Sequence, residues 1–220
     1  MEKLFDLKLL EKYGPMYMEG FIHTLEASII ALIASFILGT VVAVLRICPV
    51  KPLNVLGAAY VEFIRNIPLL LIVFLFFLGP SSLGFPLSGF AAGTLGLSIY
   101  TSAFIAEAVR AGIQAIPRGQ TEAARSSGLT YAQTMRYIVL PQAMRIVIPP
   151  LGNQFLNLVK NSSVLSVVAG LDLMYYADLI STKSFVTFSV YIFVALFYLV
   201  ITIPLSFGVA YLERRMARQH

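Results

Sequence analysis

Five long stretches of this chain carry almost no charge, and each is long enough to cross a lipid bilayer as a helix. They cover approximately residues 21–45, 56–78, 90–111, 146–169 and 188–212. A crossing helix needs about 20 mostly apolar residues. Charged residues make up 12% of the chain, about half of their share in a soluble domain. The sequence therefore predicts an all-α membrane protein, with a single domain over residues 1–220 and five transmembrane helices.

The basic residues are concentrated at alternating ends of these stretches. They follow the first, third and fifth stretches, whereas the segment 79–89 carries no charge. Because cytoplasmic loops hold the excess of lysine and arginine, the pattern predicts the N-terminus outside and the C-terminus inside. Four or six spans would break the alternation. The basic residues are Arg46 and Lys51, then Arg110, Arg118, Arg125, Arg136 and Arg145, then Arg214, Arg215 and Arg218.

Several classes of site and partner are disfavoured by the composition. Cys48 is the only cysteine, so no disulfide forms within the chain, and His23 and His220 are too few for a His/Cys metal site. The net charge of +5 follows from topology, so a lipid membrane and not a nucleic acid is the expected partner. Residues 1–20 mix acidic and basic side chains without the apolar stretch of a signal peptide. We expect an extracytoplasmic amphipathic segment lying against the membrane surface.

Residues 116–141, here named the coupling loop, form the longest cytoplasmic segment of this topology. Pro117 is suited to the first turn of a helix, and Gly128 is a common residue at a helix end. The sequence thus predicts a first short helix from about Arg118 to Gly128.

A second short helix is predicted to follow in the coupling loop. Thr130 and Gln133 have the spacing of a capping box, in which each side chain bonds the backbone of the other residue. This helix is expected to run to about Val139 and to end before Leu140-Pro141.

The same loop carries a recognisable motif. Glu122-Ala123-Ala124 is followed after three positions by Gly128, and after nine more by Ile138-Val139-Leu140-Pro141. The run resembles the cytoplasmic Glu-Ala-Ala signature of ABC importer permeases, and its internal location is the context that this motif requires. The alternative is an ordinary pair of interfacial helices. The residues that the resemblance assigns to ATPase coupling are Glu122, Ala123, Ala124, Gly128, Leu140 and Pro141.

Further segments narrow the resemblance to importers of polar amino acids. They are residues 60–70, 106–120, 140–143 and 157–162, and together they extend the resemblance over most of the chain. The variants Arg65-Asn66-Ile67-Pro68 and Val159-Lys160-Asn161-Ser162 are most similar to the glutamate, aspartate and glutamine group. An importer of arginine, lysine or histidine from the same family is the alternative.

The resemblance implies an ABC type I importer assembly in the bacterial cytoplasmic membrane. Two permease subunits, identical or related, would pair with two cytosolic ATPases and receive substrate from an extracytoplasmic binding protein. A P-loop requires a lysine after a glycine, and no lysine of this chain follows a glycine. We therefore expect no catalytic residue and no cofactor in this chain, with ATP and magnesium bound by the partner ATPase.

Polar residues within the apolar stretches are candidates for substrate contact, because polar groups in a bilayer are costly unless they have a role. In the fourth stretch, Asn157 and Lys160 share one helical side with Asn153. Lys160 is suited to attract a substrate carboxylate, or alternatively to pair with a carboxylate or a helix end for structure.

Two other groups of polar residues also have either a substrate-binding or a structural interpretation. Arg65, Asn66 and Pro68 interrupt the second stretch, where Pro68 frees backbone groups for a substrate or merely kinks the helix. Thr101 and Ser102 in the third stretch offer hydroxyls to a substrate, although packing between helices is the better interpretation.

One function of a different class is compatible with part of the sequence. An ion-coupled secondary transporter would account for the spans and for Lys160 but not for the Glu-Ala-Ala signature.

Overall fold

The computed structural model describes residues 6–217, and all regular secondary structure within them is helical. Helices long and apolar enough to cross a membrane are α1, α4 and α9, and two bent helix pairs raise the number of possible spans to five within this part of the chain. The α-helices are α1 (Lys8–Ile47), α2 (Lys51–Arg65), α3 (Leu69–Ser82), α4 (Gly89–Gln114), α5 (Arg118–Ser126), α6 (Tyr131–Thr134), α7 (Leu140–Asn161), α8 (Leu173–Ser184) and α9 (Phe188–Ala217).

Helix α4 forms the centre of the bundle. Its most apolar window is 61% buried, against 33% for α1 and 11% for α9. Helices α1, α2, α3 and α7 all pack against it. Small residues allow this close approach, as at Gly39 of α1, where an added Cβ would lie 2.7 Å from the side chain of Ile105. Exposed apolar side chains remain on α1, α2, α3 and α9, where they are left for lipid or for other subunits.

The N-terminal segment differs from the sequence prediction. Its residues 1–5 lie outside the described residues. The rest is not a separate element, because α1 begins at Lys8 and continues without a break to Ile47. One side of its first turns packs against the chain itself: Leu9, Tyr13 and Tyr17 join a buried cluster that includes residues of α8 and α9. This packing fixes the segment as an extension of the first helix, about 60 Å long in total.

The second apolar stretch is divided into two helices that meet at an angle of 102°. Pro68 cannot continue a helix hydrogen-bond ladder, and α3 restarts directly after it. Asn66 closes the end of α2, because both its backbone N–H and its side-chain amide donate to the carbonyl of Glu62, at 3.3 Å and 2.7 Å. The expected kink is thus a complete break whose polar groups are satisfied locally.

The second helix of the coupling loop does not end before Leu140-Pro141, so that prediction was wrong. A π-helical turn at Met135–Val139 joins α6 directly to α7. In this wider turn the Leu140 N–H bonds the carbonyl of Met135, five residues back. Pro141, which has no N–H to donate, follows this wider turn directly as the second residue of α7.

The segment between α7 and α9 contains a helix that the sequence patterns did not indicate. A 3₁₀ segment, Ser162–Val168, extends α7, and the chain then turns by 50° into α8. Asp172 caps α8, since its side chain accepts a hydrogen bond from the backbone of Met174 at 3.1 Å. The turn buries Asp172 completely and packs α8 against the extended start of α1.

Candidate functional site

Helix α5 of the coupling loop ends in a tightly bonded turn. Gly128 has a φ of +87°, and its N–H donates to the carbonyl of Arg125 at 3.0 Å. The next N–H, of Leu129, donates to the carbonyl of Ala124 at 3.2 Å. These two bonds form a Schellman motif, which uses a left-handed residue to satisfy the last carbonyls of a helix. An added Cβ at Gly128 would meet nothing within 4 Å, so the backbone conformation and not crowding favours glycine.

The turn leads directly into the capping box predicted at the start of α6. The backbone N–H of Gln133 donates to the hydroxyl of Thr130 at 3.3 Å, and the Thr130 N–H donates to the side chain of Gln133 at 2.8 Å. The structure thereby confirms both local signals. Together, the Schellman motif and the capping box fix the angle between α5 and the helix that continues into the membrane.

The six residues assigned to coupling lie on α5, in the turn that follows it and at the start of α7. Glu122 and Ala123 are exposed on α5, and Ala124 on its opposite side is buried. Gly128 is exposed at the turn, whereas Leu140 and Pro141 are exposed at the start of α7. Helix α5 itself rests on α6 and the π turn. The outer side of α5 is therefore open to another protein and mechanically connected to α7.

Helix α7 presents a row of exposed polar side chains, here named the polar face: Asn153, Asn157 and Lys160. Leu158 and Val159, on the other side of the same helix, are buried. Within residues 6–217, the ion pairs join other residues, and none gives Lys160 a carboxylate. An intramolecular ion pair therefore does not account for Lys160, and the polar face is available to a cavity or to a second subunit.

Arg65, from the break between α2 and α3, reaches towards helix α4. Its guanidinium lies 4.0 Å from the carboxylate of Glu107 and 5.4 Å from the ring centroid of Phe104. Its side chain remains 37% exposed. Asn66 and Pro68 are also exposed at the break.

Thr101 and Ser102 lie inside the bundle and not on an open surface. Both are buried, with relative exposures of 3% and 0%. The Ser102 hydroxyl donates to the carbonyl of Ile99 at 2.7 Å and lies 2.7 Å from the hydroxyl of Tyr60 on α2. These contacts fix α2 against α4, which favours the packing interpretation.

A test of this packing role is the substitution Ser102→Ala. It removes the hydroxyl that bonds Tyr60, so we expect a loss of about 1 kcal/mol of stability, typical of one hydrogen bond. Since Ser102 has no open surface, the KM for transport should not change. Thermal unfolding of the purified protein and uptake kinetics measure the two effects. A raised KM with unchanged stability would instead assign Ser102 to the substrate path.

A cluster of charged residues between α1, α2 and α4 was not predicted as a site. In this cluster, named the arginine cluster, Glu107 accepts hydrogen bonds from Arg46 and from Arg110, with Arg65 close by. Arg110 also donates to Gln114. The spacing of Glu107 and Arg110, three residues apart on α4, is a local signal for their pairing. Arg46 and Arg65 belong to α1 and α2, and no local sequence pattern indicates that they meet Glu107.

The candidate substrate residues are therefore found in three separate environments. Arg65 belongs to the arginine cluster, Thr101 and Ser102 are buried between helices, and Asn157 and Lys160 lie on the polar face. The residues assigned to coupling lie on the surface of α5, at the turn that follows it and at the start of α7, with Ala124 beneath them.

Comparison with known proteins places these features in a family. Residues 35–218 match the family described as "Binding-protein-dependent transport system inner membrane component". The chain belongs to this family. It is the permease subunit of an ABC transporter and not an enzyme, and its partners include a substrate-binding protein and an ATPase. The resemblance found in the coupling loop is confirmed.

Curated relatives match over nearly the full length of the chain. It is 69% identical to the "Probable glutamine ABC transporter permease protein GlnM" of Bacillus subtilis, a match that covers 93% of this chain and 95% of the relative. It is 33% identical to the "Glutamate/aspartate import permease protein GltJ" of Escherichia coli K12, covering 90% and 85%.

A solved structure has the same fold. The chain is 38% identical to a chain in the crystal structure of an amino acid ABC transporter with histidines. The match has a TM-score of 0.90 and covers 96% of this chain and 98% of that one. The all-helical fold is therefore that of a type I ABC permease.

Proposed function

We propose that this permease moves glutamine, glutamate or aspartate into a bacterial cell by alternating access, driven by ATP hydrolysis in partner subunits. One observation carries the substrate assignment, namely the 69% identity, over 93% of the chain, to a relative named for glutamine. Lys160 and Arg65 support it, since positive charge suits a substrate carboxylate better than a cationic side chain.

The proposed assembly contains two permease subunits, two cytosolic ATPases and an extracytoplasmic binding protein in the bacterial cytoplasmic membrane. Each permease would cross the membrane five times, with its N-terminus outside and its C-terminus inside, if both bent helix pairs are spans. ATP and magnesium would bind the ATPases alone. The exposed polar face of α7 would then line the path between the subunits, because polar side chains avoid lipid.

Energy would enter through α5, with its exposed residues Glu122 and Ala123 docked in a groove of the ATPase. Closure of the two ATPases would displace α5. Because the π turn joins the coupling loop to α7 without a break, this displacement would reach the polar face through one continuous helix. Leu140 and Pro141 would act at the start of that helix.

The proposal is tested by ATP hydrolysis of the reconstituted complex, with its ATPase and binding protein, across a panel of amino acids. Stimulation by glutamine, glutamate or aspartate is the expected result. Stimulation by histidine, arginine or lysine instead would support the second substrate class, which is favoured by the histidines in the solved relative. Absence of any ATPase association would contradict the coupling mechanism.

The role of Lys160 can be separated from that of the binding protein by the substitution Lys160→Met. Loss of one charged hydrogen bond to the substrate, about 1.5 kcal/mol, should lower the efficiency of transport about tenfold. Lys183→Met is the matched control, because Lys183 is exposed on α8 and away from the polar face. Uptake into proteoliposomes, with a saturated binding protein, measures both variants. Normal uptake by Lys160→Met would assign that lysine to structure.

A further inference from the structure

A cavity of about 600 Å³ lies at the cytoplasmic end of the bundle, behind α5. Arg118 supplies a positive charge to its wall, together with Arg46, whose guanidinium also donates to Glu107 of the arginine cluster. Asn54, Gln114 and Thr121 supply hydrogen-bonding groups. The residues described on this wall include neither aspartate nor glutamate. This basic cavity has the composition of an anion site, since arginine binds phosphate with charge-assisted hydrogen bonds.

The basic cavity lies next to an apolar groove of about 410 Å³ between α1 and α7. The two share four wall residues, so they adjoin. The groove walls are almost entirely apolar, and its rim residues Phe36, Val44 and Met144 are 42%, 55% and 46% exposed. The residues shared by the cavity and the groove are Ile47, Ile113, Tyr131 and Met135.

A second apolar groove, of about 560 Å³, runs from the first towards α9. It shares Phe36, Met144 and Leu151 with the first groove. The chain thus presents two adjoining apolar grooves, with the positively charged basic cavity at one end. A diacyl phospholipid with an anionic headgroup has the same distribution of polarity and charge.

The position of the grooves on α7 argues for lipid and against the translocation path. Met144, Val147 and Leu151 line the grooves, whereas Asn157 and Lys160 belong to the polar face. At about 100° per residue, the polar face points to the opposite side of the helix. The side that bears the grooves is apolar and is closed at one end by arginine, as expected for a surface in contact with anionic headgroups.

We propose that the basic cavity and the two grooves bind one anionic phospholipid, with its phosphate at Arg118 beside Arg46 and its acyl chains along α7. Given the topology proposed above, this is a lipid of the inner leaflet. The headgroup would lie against the inner side of α5, where Thr121 faces the cavity. Lipid composition would thereby act on the helix that receives the ATPase.

The native cysteine provides a reporter that needs no engineering. Cys48 is the only cysteine of the chain, it lines the apolar groove, and it is partly exposed. A bound lipid would shield its thiol from N-ethylmaleimide. We expect slower labelling of the full permease in phosphatidylcholine nanodiscs that contain phosphatidylglycerol than in phosphatidylcholine alone. This assay requires neither transport nor ATPase, so its outcome is independent of the substrate assignment.

The variant Arg118→Gln tests recognition of the headgroup. Loss of one charged hydrogen bond should weaken protection by phosphatidylglycerol about tenfold. Arg136→Gln is the matched control, because it removes the same charge from an exposed residue of the π turn that is not part of the cavity wall. Protection should be unchanged in this control.

Three outcomes would overturn the proposal. Equal labelling in the two lipid mixtures would show that no anionic headgroup is recognised. Equal protection in Arg118→Gln and the unmodified chain would place the headgroup elsewhere. Protection of Cys48 that is independent of lipid and accompanied by cross-linking between Cys48 residues of two chains would show that a second copy covers the groove.

Discussion

The substitution Gly128→Val is expected to reduce substrate-stimulated ATP hydrolysis of the assembled transporter at least tenfold, while the permease still inserts into the membrane. Gly128 has a φ of +87°, and an L-residue in this region costs about 1–2 kcal/mol, with a β-branched side chain among the worst. The space around Gly128 is open, so the strain cannot be attributed to a clash. It is relieved only if the chain abandons the Schellman turn, and this changes the direction of α5 relative to α7.

Two glycines of the same chain provide matched controls for this experiment. Gly84 has a φ of +86° and no atom within 4 Å of an added Cβ, but it lies between α3 and α4. Gly84→Val therefore introduces the same strain away from the coupling loop. Gly119→Ala adds a side chain on α5 itself, with open space and no positive φ. Both controls should retain stimulated hydrolysis. If Gly128→Val also retains it, the angle of α5 does not govern coupling.

Features that depend on a few neighbouring residues were predictable from the sequence. The bounds of α5 follow from Pro117 and Gly128, and the start of α6 follows from the Thr130 capping box. In each case the hydrogen bonds join residues within five positions of one another. Such signals do not depend on tertiary packing, so they can be recognised from the sequence without a structure.

Features that depend on packing were not predictable in the same way. Pro68 indicates an interruption, but the angle of 102° is set by how α2 and α3 each pack against α4. Pro141 alone would predict that a helix ends before it. The π turn at Met135–Val139 instead continues the helix into α7. Ser102 of the third stretch could not be assigned from the sequence either, because its contact with Tyr60 of α2 is seen only in the structure.

The arginine cluster is the feature of the structure that local sequence patterns predict least. Arg46 and Glu107 are 61 positions apart and belong to different helices. The spacing within α4 indicates the partnership of Glu107 with Arg110, and it contains no information on α1 or α2. One carboxylate thus holds together three helices whose junction cannot be inferred from any single segment.

This arrangement leads to a second prediction, that Glu107→Gln destabilises the permease by about 2 kcal/mol. Removing one member of a buried ion pair costs about 3–5 kcal/mol, and the partial exposure of this cluster, 24% for Glu107 and 11% for Arg46, lowers that figure. Glutamine keeps the size of the side chain but leaves three arginines without their shared carboxylate. Glu62, which attracts Arg110 from farther away, compensates only in part. Thermal unfolding of the purified complex measures the loss.

Two companion variants determine whether the charge of Glu107 is responsible. Glu62→Gln removes an exposed carboxylate from α2, and we expect it to change stability by less than about 0.5 kcal/mol. Arg46→Gln should cost less in the Glu107→Gln background than in the unmodified chain, because it then removes an unpaired cation. Such non-additivity is the measure of a direct interaction. Additive effects of Arg46→Gln and Glu107→Gln would mean that the helices are held at this junction by their apolar contacts and not by this ion pair.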